Sequence, residues 1–193
     1  MRNRLCRESE TSSVSDWEDK TINTMEANNI VLIGMPACGK SVNGVLLAKI
    51  LKKKFIDTDL EIQELTGKSL QEIIDEDGLD TFKAVEREIL LKQTARNAVV
   101  ATGGSAIYYE DAMTTLSASG TVVYIKVTID QIKARMNNIK TRGIVMGKGQ
   151  TLEKLYEERN GLYEKYADVT VTVGTEDTIE DTVANIIYAL IEK

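Results

Sequence analysis

Gly34-Met35-Pro36-Ala37-Cys38-Gly39-Lys40-Ser41 decides how this 193-residue chain is read. The stretch fits G-x-x-x-x-G-K-[ST], a phosphate-binding loop. Four fixed positions of this kind arise by chance in about 1% of chains this long at average residue frequencies. The setting makes coincidence poorer still. Ile30-Val31-Leu32-Ile33 before the loop is an apolar run of strand type. Residues 39–51 after it carry Val42, Val45, Leu46 and Ile50 at helical spacing. A glycine-rich turn from strand into helix aims main-chain N–H groups inward, and the helix start adds partial positive charge. Such a loop cradles a nucleotide's β-phosphate. Its lysine reaches the β- and γ-phosphates, and its hydroxyl ligates Mg²⁺. The candidate ATP-binding residues are therefore Gly34, Pro36, Ala37, Cys38, Gly39, Lys40, Ser41 and Val42. Lys40 is also a candidate catalytic residue, and Ser41 a candidate metal ligand. Cys38 is read as a lining residue of the loop.

Outward from the loop, strand and helix signals alternate. Phe55-Ile56 is a second strand running into Asp57-Thr58-Asp59, and a helical stretch follows. Ser69-Leu70-Gln71-Glu72 has capping-box form, as does Thr128-Ile129-Asp130-Gln131. Residues 79–96 read as one long helix, 98–101 as a third strand ending at Thr102-Gly103-Gly104-Ser105, and 110–119 as a helix. Strands at 121–127 and 169–173 and helices at 128–138, 151–167 and 178–193 complete the pattern, with a glycine- and lysine-containing loop over 139–150. This alternation implies an α/β fold whose five-stranded parallel sheet is covered by helices on both faces, a three-layer sandwich. Ligands of such sheets bind at the carboxyl ends of the strands.

Composition narrows the chemistry. The chain holds no histidine, which excludes His bases and His-ligated zinc. Its two cysteines, Cys6 and Cys38, make neither a zinc site nor a disulfide framework and read as free thiols of a reducing compartment. A net charge of −6 argues against a nucleic-acid or anionic-membrane partner. No apolar run approaches the ~18 residues of a membrane span, and the polar N-terminus lacks the core of a signal peptide. The expected location is the cytoplasm. Residues 1–28, rich in Ser, Thr, Glu, Asp and Asn, read as a disordered extension, and 29–193 as a single domain. No heptads or large apolar patch call for an oligomer, so a monomer is expected.

Four further segments carry chemistry: Asp57-Thr58-Asp59, Phe82-Lys83-Ala84-Val85-Glu86, Thr102-Gly103-Gly104-Ser105 and Glu158-Arg159-Asn160-Gly161-Leu162-Tyr163, with Arg142 in the loop between helices. In order and spacing, from about Ile30 to the C-terminus, the chain resembles the shikimate kinase family. The resemblance implies a P-loop kinase fold with a mobile lid around residues 143–149. It also implies transfer of the ATP γ-phosphate to the 3-hydroxyl of shikimate, a step of aromatic amino-acid (chorismate) biosynthesis. On it, Asp57 holds Mg²⁺ through water, and Asp59 orients the acceptor hydroxyl and takes its proton. Gly103 and Gly104 let the acceptor approach the backbone. Arg159 grips its carboxylate, and Glu86 orients the acceptor-binding basic groups, Lys83 among them. Arg142 closes over the transferring phosphate, and Arg135 flanks adenine.

Physical chemistry accords with these roles. Phosphoryl transfer needs charge neutralisation and in-line positioning more than covalent help. Lys83 and Glu86, three residues apart, are expected to share a helix face. The run Glu153-Lys154…Glu157-Glu158 reads as a solvated helix face.

The chain departs from the family pattern at three places. Lys83 replaces an arginine, exchanging a bidentate fork for a point charge. Ser105 stands where the family has a third glycine. Arg142-Gly143-Ile144-Val145 replaces Arg-Pro and two aliphatic residues in the lid. All three concern the acceptor side, so a different hydroxy acid or a hydroxy amino acid such as homoserine stays open as the substrate. A nucleoside monophosphate kinase would need several more arginines. A GTPase would need an Asn-Lys-x-Asp motif, which is absent. A degenerate, non-catalytic ATP module is argued against by the intact Lys40, Ser41, Asp57, Asp59 and Arg142.

Overall fold

Residues 28–137 and 150–193 are described by the structure, a computed structural model. The expected extension, except Asn28, and the expected lid with Arg142 lie outside them.

Strand β1 (Asn29–Ile33) is buried along its whole length, as is β3 (Ala98–Ala101). Strands covered on both faces are predominantly apolar, which is why IVLI of β1 and AVVA of β3 read as unbroken runs rather than alternations, and the buried Asn29 at the start of β1 is hydrogen-bonded. β1 lies at the centre of a five-stranded sheet. With β2 (Lys54–Asp57), β4 (Gly120–Lys126) and β5 (Val169–Thr172), the order is β2-β3-β1-β4-β5 and every pair is parallel. Leu32 is in register with Ala101 on one side and Val123 on the other. The chain fills the β2-β3 side before crossing to β4, so the sheet changes direction at β1. A crevice opens beyond the carboxyl ends of the strands at such a point.

The helices are α1 (Lys40–Ile50), α2 (Thr58–Thr66), α3 (Leu70–Glu72), α4 (Leu79–Leu91), α5 (Glu110–Ser119), α6 (Ile129–Asn137), α7 (Leu152–Tyr166) and α8 (Ile179–Ile191). The Ser69 box forms, its hydroxyl accepting from Glu72 N–H while Glu72 accepts from Ser69 N–H. Thr128 and Gln131 pair in the same way. α3 then runs into a π-helical stretch, Ile73–Asp77, and a 3₁₀ turn, Ala106–Tyr108, follows β3. Neither had a sequence signal. Among the described residues no helix is long and apolar enough to cross a membrane.

The helix expected over 79–96 stops at Leu91. The cause lies across the sheet. The Asn29 side chain donates to Ala95 O at 2.7 Å and accepts from Ala98 N–H at 3.0 Å, which fixes the chain on its way into β3. Asn97, at φ +55°, makes the reversal, a conformation asparagine tolerates better than most residues.

Candidate active site

β1 delivers the chain into the phosphate loop. Gly34 has φ +146°, and a Cβ there would lie 2.7 Å from Ile125 O and 2.9 Å from Cys38 Sγ. Only glycine lets the loop leave the sheet so close to β4. Lys40, the first residue of α1, folds its ammonium back over the loop. It donates to Gly34 O at 2.7 Å and Met35 O at 3.0 Å and lies 3.7 Å from Cys38 Sγ. From the far side Arg135 of α6 donates to Ala37 O at 3.3 Å and Cys38 O at 3.1 Å, clamping the outer rim. Arg135, the half-exposed Val42, Val173 and Ile179 line a cleft beside that rim.

The inner side of the loop opens on a cavity of about 380 Å³ at the carboxyl ends of β1, β2 and β3. Pro36, Lys40 and Ser41 form one wall. Asp57 and Asp59 form the next. Asp57 ends β2 and caps α2, its carboxylate accepting from Asp59 N–H at 3.1 Å, so Asp59 falls on the first helical turn beside the cavity. The buried Thr58 between them faces the other way and accepts from Gly103 N–H at 3.1 Å. This bond joins the ends of β2 and β3.

Gly103 is a point of close approach. A Cβ there would lie 2.3 Å from Glu86 Oε1 and 2.8 Å from Asp59 Oδ1. The two carboxylates flank one point, so these oxygens are no more than about 5 Å apart, within range of strong mutual influence.

Glu86 is wholly buried on α4. Its carboxylate accepts from Ser105 Oγ at 2.8 and 2.7 Å and from Tyr109 Oη at 2.8 Å. Burial pushes its pKa up from 4.5 to about 7. The Ser105 and Tyr109 hydroxyls pull against that, Asp59 adds to it, and Arg159 opposes it. Arg159, on α7, is 1% exposed. Its guanidinium lies 5.3 Å from the Tyr108 ring centre, and its Nε donates to Tyr108 Oη at 3.3 Å. That hydroxyl in turn donates to Glu158 at 2.7 Å. Tyr163, stacked on Tyr124, donates to Gly104 O at 2.7 Å and holds the second glycine in place.

The cavity thus brings together Pro36, Ala37, Gly39, Lys40, Ser41, Asp57, Asp59, Glu86, Gly103, Gly104 and Arg159. Lys83 is not among its lining residues. The buried stripe of α4 is Phe82, Glu86 and Leu90. Lys83, one residue past Phe82, is turned about 100° away from it. Lys83 is exposed and lines an adjoining cleft with Tyr108, Tyr109, Glu158 and Arg159. The shared face expected from the three-residue spacing is therefore not a shared site. The run 153–158 is solvated as expected at Glu153, Lys154, Glu157 and Glu158. Sequence reasoning missed Thr58, Tyr108 and Tyr109 and saw Ser105 only as a departure. Tyr108-Tyr109 follows the glycine pair closely, but nothing local tells which side chain either tyrosine meets.

The protein-family model described as shikimate kinase matches residues 36–191. A Vibrio parahaemolyticus shikimate kinase is 38% identical over 171 residues, 87% of this chain and 98% of that one. Shikimate kinase 1 of Erwinia tasmaniensis is 37% identical over 172 residues, again 87% of this chain and 98% of that one. Among solved structures, the Acinetobacter baumannii shikimate kinase in complex with shikimate aligns with a TM-score of 0.77 at 29% identity, covering 89% of this chain and 97% of that one. The Aquifex aeolicus shikimate kinase aligns at 0.68 and 30%, covering 84% and 95%.

Proposed function

Because the chain belongs to the shikimate kinase family, we propose that it transfers the γ-phosphoryl group of ATP to the 3-hydroxyl of shikimate. One observation carries this reading: the phosphate loop and a buried arginine–carboxylate set open into a single cavity. A nucleotide's polyphosphate and a small hydroxylated acid then meet end to end, as in-line transfer requires.

The residues divide the work. Main-chain N–H groups of the phosphate loop hold the β-phosphate, and Lys40 exchanges its carbonyl partners Gly34 and Met35 for phosphate oxygens. Arg135 and Val42 receive the adenine in the outer cleft. Arg159, already stacked on Tyr108, holds the acceptor carboxylate. Asp59 accepts a hydrogen bond from the acceptor hydroxyl. As that oxygen bonds to phosphorus and the bond to the ADP oxygen breaks, the proton passes to Asp59. Gly103 and Gly104 leave room for the ring. Arg142 closes from the lid, and Lys83 contributes charge from the adjoining cleft.

Ser41 and Asp57 suit Mg²⁺. Both are hard oxygen donors lining the cavity beside the loop. Among the described residues no group of three acidic, cysteine or histidine side chains forms a metal cage. Mg²⁺ in phosphoryl-transfer sites takes one or two protein oxygens and completes its shell with phosphate and water. Bound there, the ion would neutralise charge on the β- and γ-phosphates.

A coupled assay of ADP release with ATP against shikimate, homoserine and AMP tests the reading. Turnover with shikimate at a kcat/KM at least about tenfold above the others is expected, within the range substrate contacts supply. Release only with homoserine or AMP would overturn the assignment of the acceptor.

A further inference from the structure

We propose that Ser105 and Tyr109 are positioning residues of the acceptor pocket. Their two hydroxyls fix the Glu86 carboxylate, and through it they set the electrostatic surroundings of Asp59 and Arg159. The inference rests on the function proposed above and deepens it at the acceptor side.

Ser105 has φ −96° and ψ −5°, a conformation open to any residue, so no glycine is required by the backbone here. The serine is 4% exposed and directs its hydroxyl to both Glu86 oxygens. Tyr109 reaches the same carboxylate from the end of the 3₁₀ turn. One short segment after β3 thus brings two hydroxyl donors to a buried acid on α4, nineteen and twenty-three residues away in sequence. An arginine at position 83 would be suited to a bidentate pairing with a carboxylate. The lysine that stands there is exposed in the adjoining cleft. The two hydroxyls supply neutral hydrogen bonds to a carboxylate that burial alone would disfavour as an anion.

The charged groups acting on Glu86 are Asp59 from α2, which opposes its ionisation, and Arg159 from α7, which favours it. On its own helix Lys83 faces the adjoining cleft. Glu86 is poised between these influences. The ionised form is the one that balances the charge of Arg159 beside the acceptor site.

The test is a carbon-13 NMR titration of glutamate side-chain carboxyls in the substrate-free protein, with the Glu86 signal assigned by Glu86→Gln. In the wild-type protein the Glu86 midpoint is expected near 7. Ser105→Ala and Tyr109→Phe should each raise it by about one pH unit, the effect of losing one hydrogen bond to the charged form. Ser105→Thr, which keeps a hydroxyl, should restore it. The acidic limb of kcat/KM for the acceptor should move upward in parallel, with KM changing more than kcat. An unmoved midpoint in both variants would overturn the proposal. So would a moved midpoint with an unchanged acceptor KM. The titration needs no substrate, so it stays decisive even if shikimate proves not to be the acceptor. Failure of the wild-type protein to use shikimate would refute only the earlier assignment.

Discussion

Replacing Glu86 with glutamine should abolish a loss of stability that the wild-type protein suffers as pH rises, while impairing it as an enzyme. The carboxyl is 0% exposed, and its midpoint is raised from 4.5 to about 7. A raised acid binds its proton more tightly in the folded than in the unfolded state. Between pH 4.5 and 7 the folded protein therefore carries more protons, and stability falls as pH rises across that window. At about 1.4 kcal/mol per pH unit, the gap amounts to about 3 kcal/mol lost by pH 8. Glutamine has no such titration, and its amide oxygen can still accept from Ser105 and Tyr109. Urea unfolding of both proteins at pH 5, 6, 7 and 8 reads this contribution, because titrating groups remote from Glu86 cancel in the difference. The stability difference between variant and wild type should shift in the variant's favour by about 2.5 kcal/mol from pH 5 to pH 8. A difference independent of pH would refute the reasoning and mean that Glu86 ionises in the folded protein as readily as in the unfolded chain. The same variant should lose acceptor affinity, since Arg159 and Asp59 then face a neutral neighbour.

Lys40→Ala should lower kcat at least ~10²-fold, the scale of one lost transition-state stabiliser. Single-turnover kinetics on a protein shown to be folded reads this directly, and an unchanged rate would remove Lys40 from the chemistry. Gly103→Ala would place a methyl 2.3 Å from Glu86 Oε1 and 2.8 Å from Asp59 Oδ1. Overpacking of this order costs about 1–3 kcal/mol. Acceptor KM should rise about tenfold or more while ATP KM, set across the cavity, changes little. Equal effects on both would count against Gly103 as an acceptor-side residue.

The fold was legible because its signals are local. NIVLI, AVVA and the capping boxes at Ser69 and Thr128 each declare an element within a few residues, and the helix at Glu110–Ser119 matches its expected bounds. What failed was decided at a distance. The early end of α4 is imposed by Asn29, 66 residues before the Ala95 carbonyl it binds. The site divides in the same way. Eight consecutive residues specify the phosphate loop, and Asp57, Asp59 and Gly103 sit at strand ends, where parallel sheets place ligands. A three-residue spacing gives proximity along a helix but not which face is buried, and Lys83 lies exposed in the cleft beside the cavity while Glu86 is buried. Tyr108 was missed because its partner Arg159 lies 51 residues away.

The two halves of the cavity also differ in what they ask of the sequence. The phosphate loop binds through main-chain N–H groups, which any residue except proline supplies. Its interior is constrained by packing instead: Met35 and Cys38 are buried in the core and Ala37 has φ +63°. The acceptor half works by side chains. Among the described residues its cavity is lined by three carboxylates, Asp57, Asp59 and Glu86, and by two cations, Lys40 and Arg159. On the proposed function Lys40 serves the nucleotide, which leaves Arg159 as the described cavity cation for an anionic acceptor. On the proposed function its charge is balanced by Glu86, whose carboxylate accepts from the hydroxyls of Ser105 and Tyr109. A small change at Ser105 or Tyr109 therefore propagates through buried charges to the acceptor while leaving the nucleotide cradle untouched. Acceptor preference, rather than ATP use, is the property this architecture leaves open to change.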